Sequence, residues 1–382
     1  MSALSQRLES LDVLRGFDLF LLVFLHPILV SLIGPIDADW YNTFMIQFDH
    51  VTWEGFAFWD IIMPLFMFMA GVSMPFAFAK YVNNGQLDRK RLYLRIGKRF
   101  VLLWIFGMIC QGKLLGLDPS RFAYFSNTLQ AIAVGYLFSA LIFLNFRPRV
   151  QIVIASGLLI AYWLIMTFAS GELAGVAYGN GSYLPADNYA EYVDRLVLGS
   201  HRDGVWISED GSWHFSSDYT YTWIVSSLNF VVTVMTGVFA GLVLKSSRDG
   251  WKKVKALFLI GVAMVAAGWL WNLQMPVIKR IWTSSMVLVS SGYCFLLMSL
   301  FYYLIDYKKW HKGFMWLKYF GMNSIVAYML SAMNFRCVGN SLLYGLEQYI
   351  GAYYQPLMTL CNGLVIFLIL YVLYKSKKFL RV

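Results

Sequence analysis

One histidine with three carboxylates close by in the chain is the first sign of chemistry. The run Phe48-Asp49-His50-Val51-Thr52-Trp53-Glu54-Gly55-Phe56-Ala57-Phe58-Trp59-Asp60 sets His50 near Asp49, Glu54 and Asp60. Imidazole titrates near neutrality, so it can take a proton from an amine or hydroxyl, or carry an acyl group itself. A neighbouring carboxylate would fix its tautomer and raise its basicity. On residues alone a structural reading competes, with His50 capping an interfacial helix and Asp60 hydrogen-bonding a neighbouring one. His26, just before the helix-loosening Pro27, is a second imidazole in an apolar run, where such a ring more often meets a polar cavity than lipid. In Leu11-Asp12-Val13-Leu14-Arg15-Gly16-Phe17-Asp18 the arginine is three residues from each aspartate, so both carboxylates can lie against it on one helical face. That cluster either neutralises itself or lets Arg15 hold a phosphate or a gate. The basic run from Arg89 to Arg99, which includes Arg95, either faces anionic lipid or holds the phosphates of a nucleotide-bearing donor. No HExxH, GxxxxGK[ST], GxGxxG or GxSxG motif occurs and no closely spaced His/Cys cluster is seen, so neither a metal nor a nucleotide-loop fold is suggested.

The elements that must position these groups are membrane helices. Of 382 residues, 59% are hydrophobic and only 14% charged, against roughly 25% charged in soluble domains. Ten apolar runs are long enough to cross a bilayer: Leu11–Ile33, Gly55–Ala79, Phe100–Leu117, Ser126–Leu144, Val150–Ser170, Trp223–Leu244, Ala256–Leu273, Thr283–Ile305, Trp316–Met333 and Tyr353–Tyr374. The expected fold is therefore all-α, a polytopic membrane bundle of about ten transmembrane helices with both termini cytoplasmic. Orientation comes from the basic residues: with the N-terminus inside, 23 of the 31 lie in cytoplasmic segments and seven outside, a positive-inside pattern. The net charge of +10 thus belongs to topology and does not argue for nucleic acid. Residues 1–382 read as one domain, within which 171–222 is a polar extracytoplasmic loop that should form an ordered cap. The four cysteines form no CxxC pair.

Taken in order along the chain, these segments resemble the heparan-α-glucosaminide N-acetyltransferase family of transmembrane acyltransferases. Ser10-Leu11-Asp12-Val13-Leu14-Arg15-Gly16 is similar to its opening. His50-Val51-Thr52-Trp53-Glu54-Gly55, with Asp60, Pro64, Phe66 and Gly71, looks like its H-x-x-W-x-G…D…P-x-F signature. Leu129-Gln130-Ala131-Ile132 follows its L-Q-R-[IL] segment with alanine in place of arginine. Pro276, Lys279, Trp282 and Ser284 fit its P-x-x-K-x-x-W-[ST] stretch, and Gly321-Met322-Asn323-Ser324 its G-x-N-[SA] span. The family often has asparagine where this chain has His26, and its segment before the sixth span is replaced here by Asp218-Tyr219-Thr220-Tyr221-Thr222-Trp223.

The resemblance implies transfer of an acetyl group from cytoplasmic acetyl-CoA to an amino sugar or glycan on the far side. His50 would act as base or acyl carrier; on the residues themselves, Asp60 or Asp49 would orient it and His26 would relay a proton or bond the thioester carbonyl. Arg15, Arg95, Arg99 and Asn323 are the expected coenzyme A contacts; Asp49, Trp53, Lys279 and Trp282 the expected acceptor contacts. The expected partners are acyl-CoA, the acceptor and the lipid bilayer, with a homodimer left open. The composition suits a bacterial inner membrane. A transporter of an amino sugar is the alternative, although paired broken helices in two related halves are not evident. A partner protein with a degenerate site is a third reading.

Overall fold

The computed structural model describes residues 8–83, 86–112, 114, 117–118 and 122–380. Arg7, Lys113, Arg121 and Arg381, counted in the charge argument, lie outside them. Eight stretches among the described residues are long and apolar enough to cross a membrane. The first, Glu9–Ser31, joins α1 (Glu9–Phe20) to α2 (His26–Ser31) through a π-helical turn at Leu21–Leu25. A short α3 (Asp39–Met45) follows. The second, Phe58–Tyr81, is a 3₁₀ turn leading into α4 (Ile62–Phe78). The next five are centred on α6 (Thr128–Asn145), α7 (Pro148–Phe168), α9 (Ser226–Lys245), α10 (Gly250–Trp271) and α11 (Ser284–Phe301). The last stretch, Arg336–Lys375, strings together α14 (Arg336–Leu343), α15 (Glu347–Ile350) and α16 (Tyr354–Lys375).

Two expected spans take other forms. The third begins well before Phe100, because α5 (Arg89–Cys110) starts where the Asp88 carboxylate accepts the Arg91 N–H at 3.1 Å. Its first half is basic and its second apolar, as suits a helix whose long cations reach past the membrane edge. The ninth is broken at Asn323 into α12 (Leu317–Met322) and α13 (Ser324–Ser331).

One end of the bundle gathers the basic segments. There the Lys245 ammonium donates to the Pro75 carbonyl at 2.7 Å, the Tyr93 hydroxyl to Asn145 at 3.2 Å, and Lys318 to Glu9 at 2.7 Å. The bundle is held by unusually close backbones. A Cβ on Gly237 of α9 would stand 1.9 Å from the Phe68 carbonyl oxygen of α4, and one on Gly321 of α12 would stand 2.0 Å from that of Asp12. Only glycine permits such an approach, and in lipid such small-residue contacts replace the hydrophobic drive between helices.

At the other end residues 171–222 form two hairpins and a helix, called the cap below. A hairpin of β3 (Ser170–Leu173) and β4 (Val176–Gly179) precedes α8 (Tyr189–Leu198), and a second hairpin pairs β5 (Val205–Ile207) with β6 (Trp213–Phe215). (A two-residue pair, β1 Val82–Asn83 and β2 Gln86–Leu87, lies at the basic end.) Inside the cap the fully buried Arg202 pairs with Glu191, which also takes Arg195 at 2.6 Å. The Asp194 carboxylate accepts the backbone N–H groups of Trp223 and Ile224 at 2.7 and 2.9 Å, fastening the cap to the start of α9.

Candidate active site

The segment before α4 cannot be regular helix, because it must present a polar group to an apolar bundle. Gly55 takes a positive φ of 121° and its N–H donates to the Val277 carbonyl at 2.8 Å. Glu54 bridges Ile278 in antiparallel fashion. This short pairing brings the loop between α10 and α11 beside the start of α4. Asp60 is in the first turn of its span, nearer the end than the expected boundary at Gly55 placed it. Its Oδ2 accepts the Ala57 N–H at 3.0 Å, reaching back as a residue in the first helical turn does. That leaves Oδ1 for the site.

His50 Nδ1 is 2.8 Å from Asp60 Oδ1, and Lys279 Nζ is 3.3 Å from the same oxygen. Asp60 is 1% exposed and Lys279 9%, whereas the His50 side chain is 36% exposed. With Nδ1–H donated to the carboxylate, Nε2 carries the free lone pair. Lys279 Nζ lies 3.0 Å from Nδ1 and 3.4 Å from Nε2. Burial pulls the Lys279 ammonium down from 10.5 to about 8, against the opposing attraction of Asp60. The triad is therefore carboxylate, imidazole and an amine whose ammonium form burial disfavours.

His50 and Lys279 open on a cavity of about 340 Å³. Its walls include Trp282, Arg280 and the cap residues Asp203, Tyr219 and Tyr221. A second cavity of about 250 Å³ lies toward the basic end and is lined by Arg15, Arg95 and Arg99. Phe66, Thr128 and Tyr328 line both cavities, so the two meet there.

The expected site residues separate on this geometry. His50, Asp60 and Lys279 come together, and Trp282 stands on the same cavity wall with a positive φ of 53° and its indole N–H donated to Thr233 at 3.1 Å. Arg15, Arg95 and Arg99 converge on the second cavity, Arg95 bonded to the Tyr81 hydroxyl at 2.6 Å and Arg99 lying 4.1 Å over the Tyr136 ring. Arg15 reaches back to Asp12 at 3.8 Å. Asp18 does not join that cluster and is fully buried, because helical side chains lean toward the N-terminus and Arg15 reaches away from it. His26 is not on the cavity wall. Its Nε2 is 2.8 Å from the Phe48 carbonyl oxygen and its ring stacks on Trp59 at 3.9 Å, so it holds the chain leading into His50. Asp49 accepts the His50 backbone N–H at 2.7 Å, and the Trp53 indole donates to the Tyr183 carbonyl at 2.8 Å, latching the cap. Asn323 bonds the C-terminal segment through the Lys378 carbonyl and the Leu380 N–H, both at 3.1 Å, and not the cavity.

Sequence reasoning missed Arg280, Asp203, Asn127 and Tyr328 on the walls. Only Asn127 gave a local signal, an asparagine three residues before a glutamine at a helix start.

Comparison with known proteins agrees with the resemblance. Residues 7–187 match the family described as heparan-alpha-glucosaminide N-acetyltransferase, catalytic. The human heparan-alpha-glucosaminide N-acetyltransferase is 27% identical over 371 residues, covering 86% of this chain and 53% of that protein. The mouse protein of the same name is 25% identical over 369 residues, covering 85% and 53%. The chain thus spans about half the length of the curated relatives it matches. Neither name is that of a transporter, and that alternative gains no support.

Proposed function

We propose, on the premise that residues 7–187 carry the catalytic region of the heparan-alpha-glucosaminide N-acetyltransferase family, that this multi-pass membrane protein transfers an acetyl group from acetyl-CoA to an amino sugar or glycan acceptor. One observation carries the proposal: a cavity lined by His50 and Lys279, with Asp60 buried behind them, shares the wall of Phe66, Thr128 and Tyr328 with a cavity lined by three arginines. Acyl-CoA is charged and stays on one side of a bilayer, and the acceptor waits on the other. Arg15, Arg95 and Arg99 would hold the donor's phosphates while its pantetheine arm threads toward His50. Guanidinium groups suit that task because they bond phosphate bidentately. In this reading the basic end faces the cytoplasm of a bacterial inner membrane and the cap faces outward.

The chemistry follows from the triad. Asp60 fixes the imidazole, and His50 Nε2 takes the proton of the acceptor amine as its nitrogen bonds the thioester carbon. The C–S bond then breaks and the sulfur leaves with its electron pair. Lys279, whose ammonium burial pulls down to about 8, is placed to give the sulfur a proton and to take back the one His50 holds, giving the N-acetyl product and free coenzyme A with both groups restored. The same Nε2 could carry the acetyl group first, as an acyl-imidazole. Brief exposure of the protein to labelled acetyl-CoA without acceptor separates the routes, since only the second leaves label on the chain.

The test is transfer of labelled acetyl from acetyl-CoA to glucosamine by the purified chain in proteoliposomes. Transfer by the native protein and none by His50→Ala supports the reading; glucosamine uptake that needs no acetyl-CoA and survives His50→Ala would favour transport.

A further inference from the structure

We infer that Asn127 and Tyr328 form a donor pair that polarises the thioester carbonyl where the two cavities meet. The inference rests on the acetyl-transfer reading above and adds the group that reading lacks. When the amine nitrogen bonds the thioester carbon, the carbonyl π pair moves onto oxygen. A charge developing in a buried passage needs donors already aimed at it. His26 cannot serve, since its Nε2 is bonded to Phe48 away from the cavity wall. Lys279 faces Asp60 and His50, and the Gln111 amide is spent on the Ser126 carbonyl at 2.9 Å.

Asn127 is oriented by the chain around it. Its Oδ1 accepts the Leu129 N–H at 2.8 Å as the cap of α6, which turns its Nδ2 away from the helix. Gln130 Oε1 locks the same turn by accepting the N–H groups of Ser126 and Asn127 at 2.8 and 3.1 Å. Nδ2 then donates one hydrogen to the Tyr328 hydroxyl oxygen at 3.5 Å and keeps its second for the cavity. That hydroxyl sits on the first helix after the break at Asn323, and Tyr328 lines both cavities while Asn127 lines the one that holds His50. Because Tyr328 stands on the wall common to both cavities and Asn127 beside it, a thioester reaching from the arginines to His50 would run alongside these two donors. Its oxygen would be bonded by the amide N–H and the phenol O–H as the tetrahedral carbon forms. It would be released when the C=O re-forms and the C–S pair departs with sulfur.

Two conservative variants test this. Tyr328→Phe removes one hydroxyl. Asn127→Asp keeps an oxygen to cap Leu129 and removes the amide donor. In detergent, with acetyl-CoA and glucosamine as probes and free thiol as readout, each should lower kcat by ~10²–10³-fold. The KM for acetyl-CoA and the thermal midpoint should stay at the native values, a split that a merely structural role would not give. Unchanged kcat in Tyr328→Phe, or a loss that appears in KM alone, overturns the inference; if Asn127→Asp does not fold, Tyr328→Phe decides by itself. Native protein that releases no thiol, or His50→Ala that matches it, overturns the acetyl-transfer reading instead.

Discussion

Asp60 does two things with two oxygens. Oδ2 caps the turn that starts the second span and Oδ1 faces His50 and Lys279. Asp60→Asn keeps a carbonyl oxygen for the cap but cannot fix the imidazole as a carboxylate does. It should fold and lose ~10²–10⁴-fold in kcat, measured as acetyl transfer to glucosamine. Lys279 allows a second measurement at this scale. Its folded value of about 8 lies below its ordinary 10.5. Between those values the unfolded chain binds more protons than the folded one, so stability rises with pH across that window. The thermal midpoint of the native protein should therefore climb from pH 8 toward 10, and Lys279→Met should flatten the climb; an equal slope in both proteins would refute the assignment.

Among elements, the packing of α4 against α9 sets where Asp60 stands. Gly71 and Gly237 bring the two backbones together, and a Cβ on either would meet a carbonyl oxygen of the other helix at 2.0 or 1.9 Å. Gly237→Ala should destabilise the protein by about 1–3 kcal/mol, seen as a lower thermal midpoint, and reduce transfer without touching the cavity wall. How far the sequence could be read follows from such distances along the chain. His50 and Asp60 are ten residues apart on one short segment, and ionisable groups beside an apolar run demand a reason, so both were legible. Lys279 lies 229 positions from His50, and it was singled out by family resemblance alone. Its place depends on the Gly55–Val277 hydrogen bond, which no local pattern announces. Span edges moved for a similar reason: hydropathy sees the apolar half of α5, whereas Asp88 decides where its helix begins. Tyr328 could not be read at all, since its partners lie on helices brought near only by packing.

Across the molecule, the proposed reading gives the two ends separate roles, and on that reading substitutions should divide accordingly. Removing Arg95 and Arg99 together should raise the KM for acetyl-CoA ~10-fold or more, the loss of charge-assisted bonds to phosphate. The same double variant should treat a phosphate-free acetyl thioester as the native protein does; an equal loss with both donors would move the phosphate site elsewhere. The cap should act on the acceptor side only. Asp194→Asn weakens its hold on Trp223 and Ile224 and is expected to raise the KM for glucosamine while leaving that for acetyl-CoA in place.

The clasp at Asn323 has a practical corollary. It draws the C-terminal segment back until Leu380 forms part of the wall beside the three arginines. Any affinity handle or fluorophore joined after Leu380 would emerge beside that cavity, where a short linker would tug on the leucine and disturb the wall. A reporter placed there, on a longer tether, should change its signal on addition of acetyl-CoA if the proposed donor site is the one beside it.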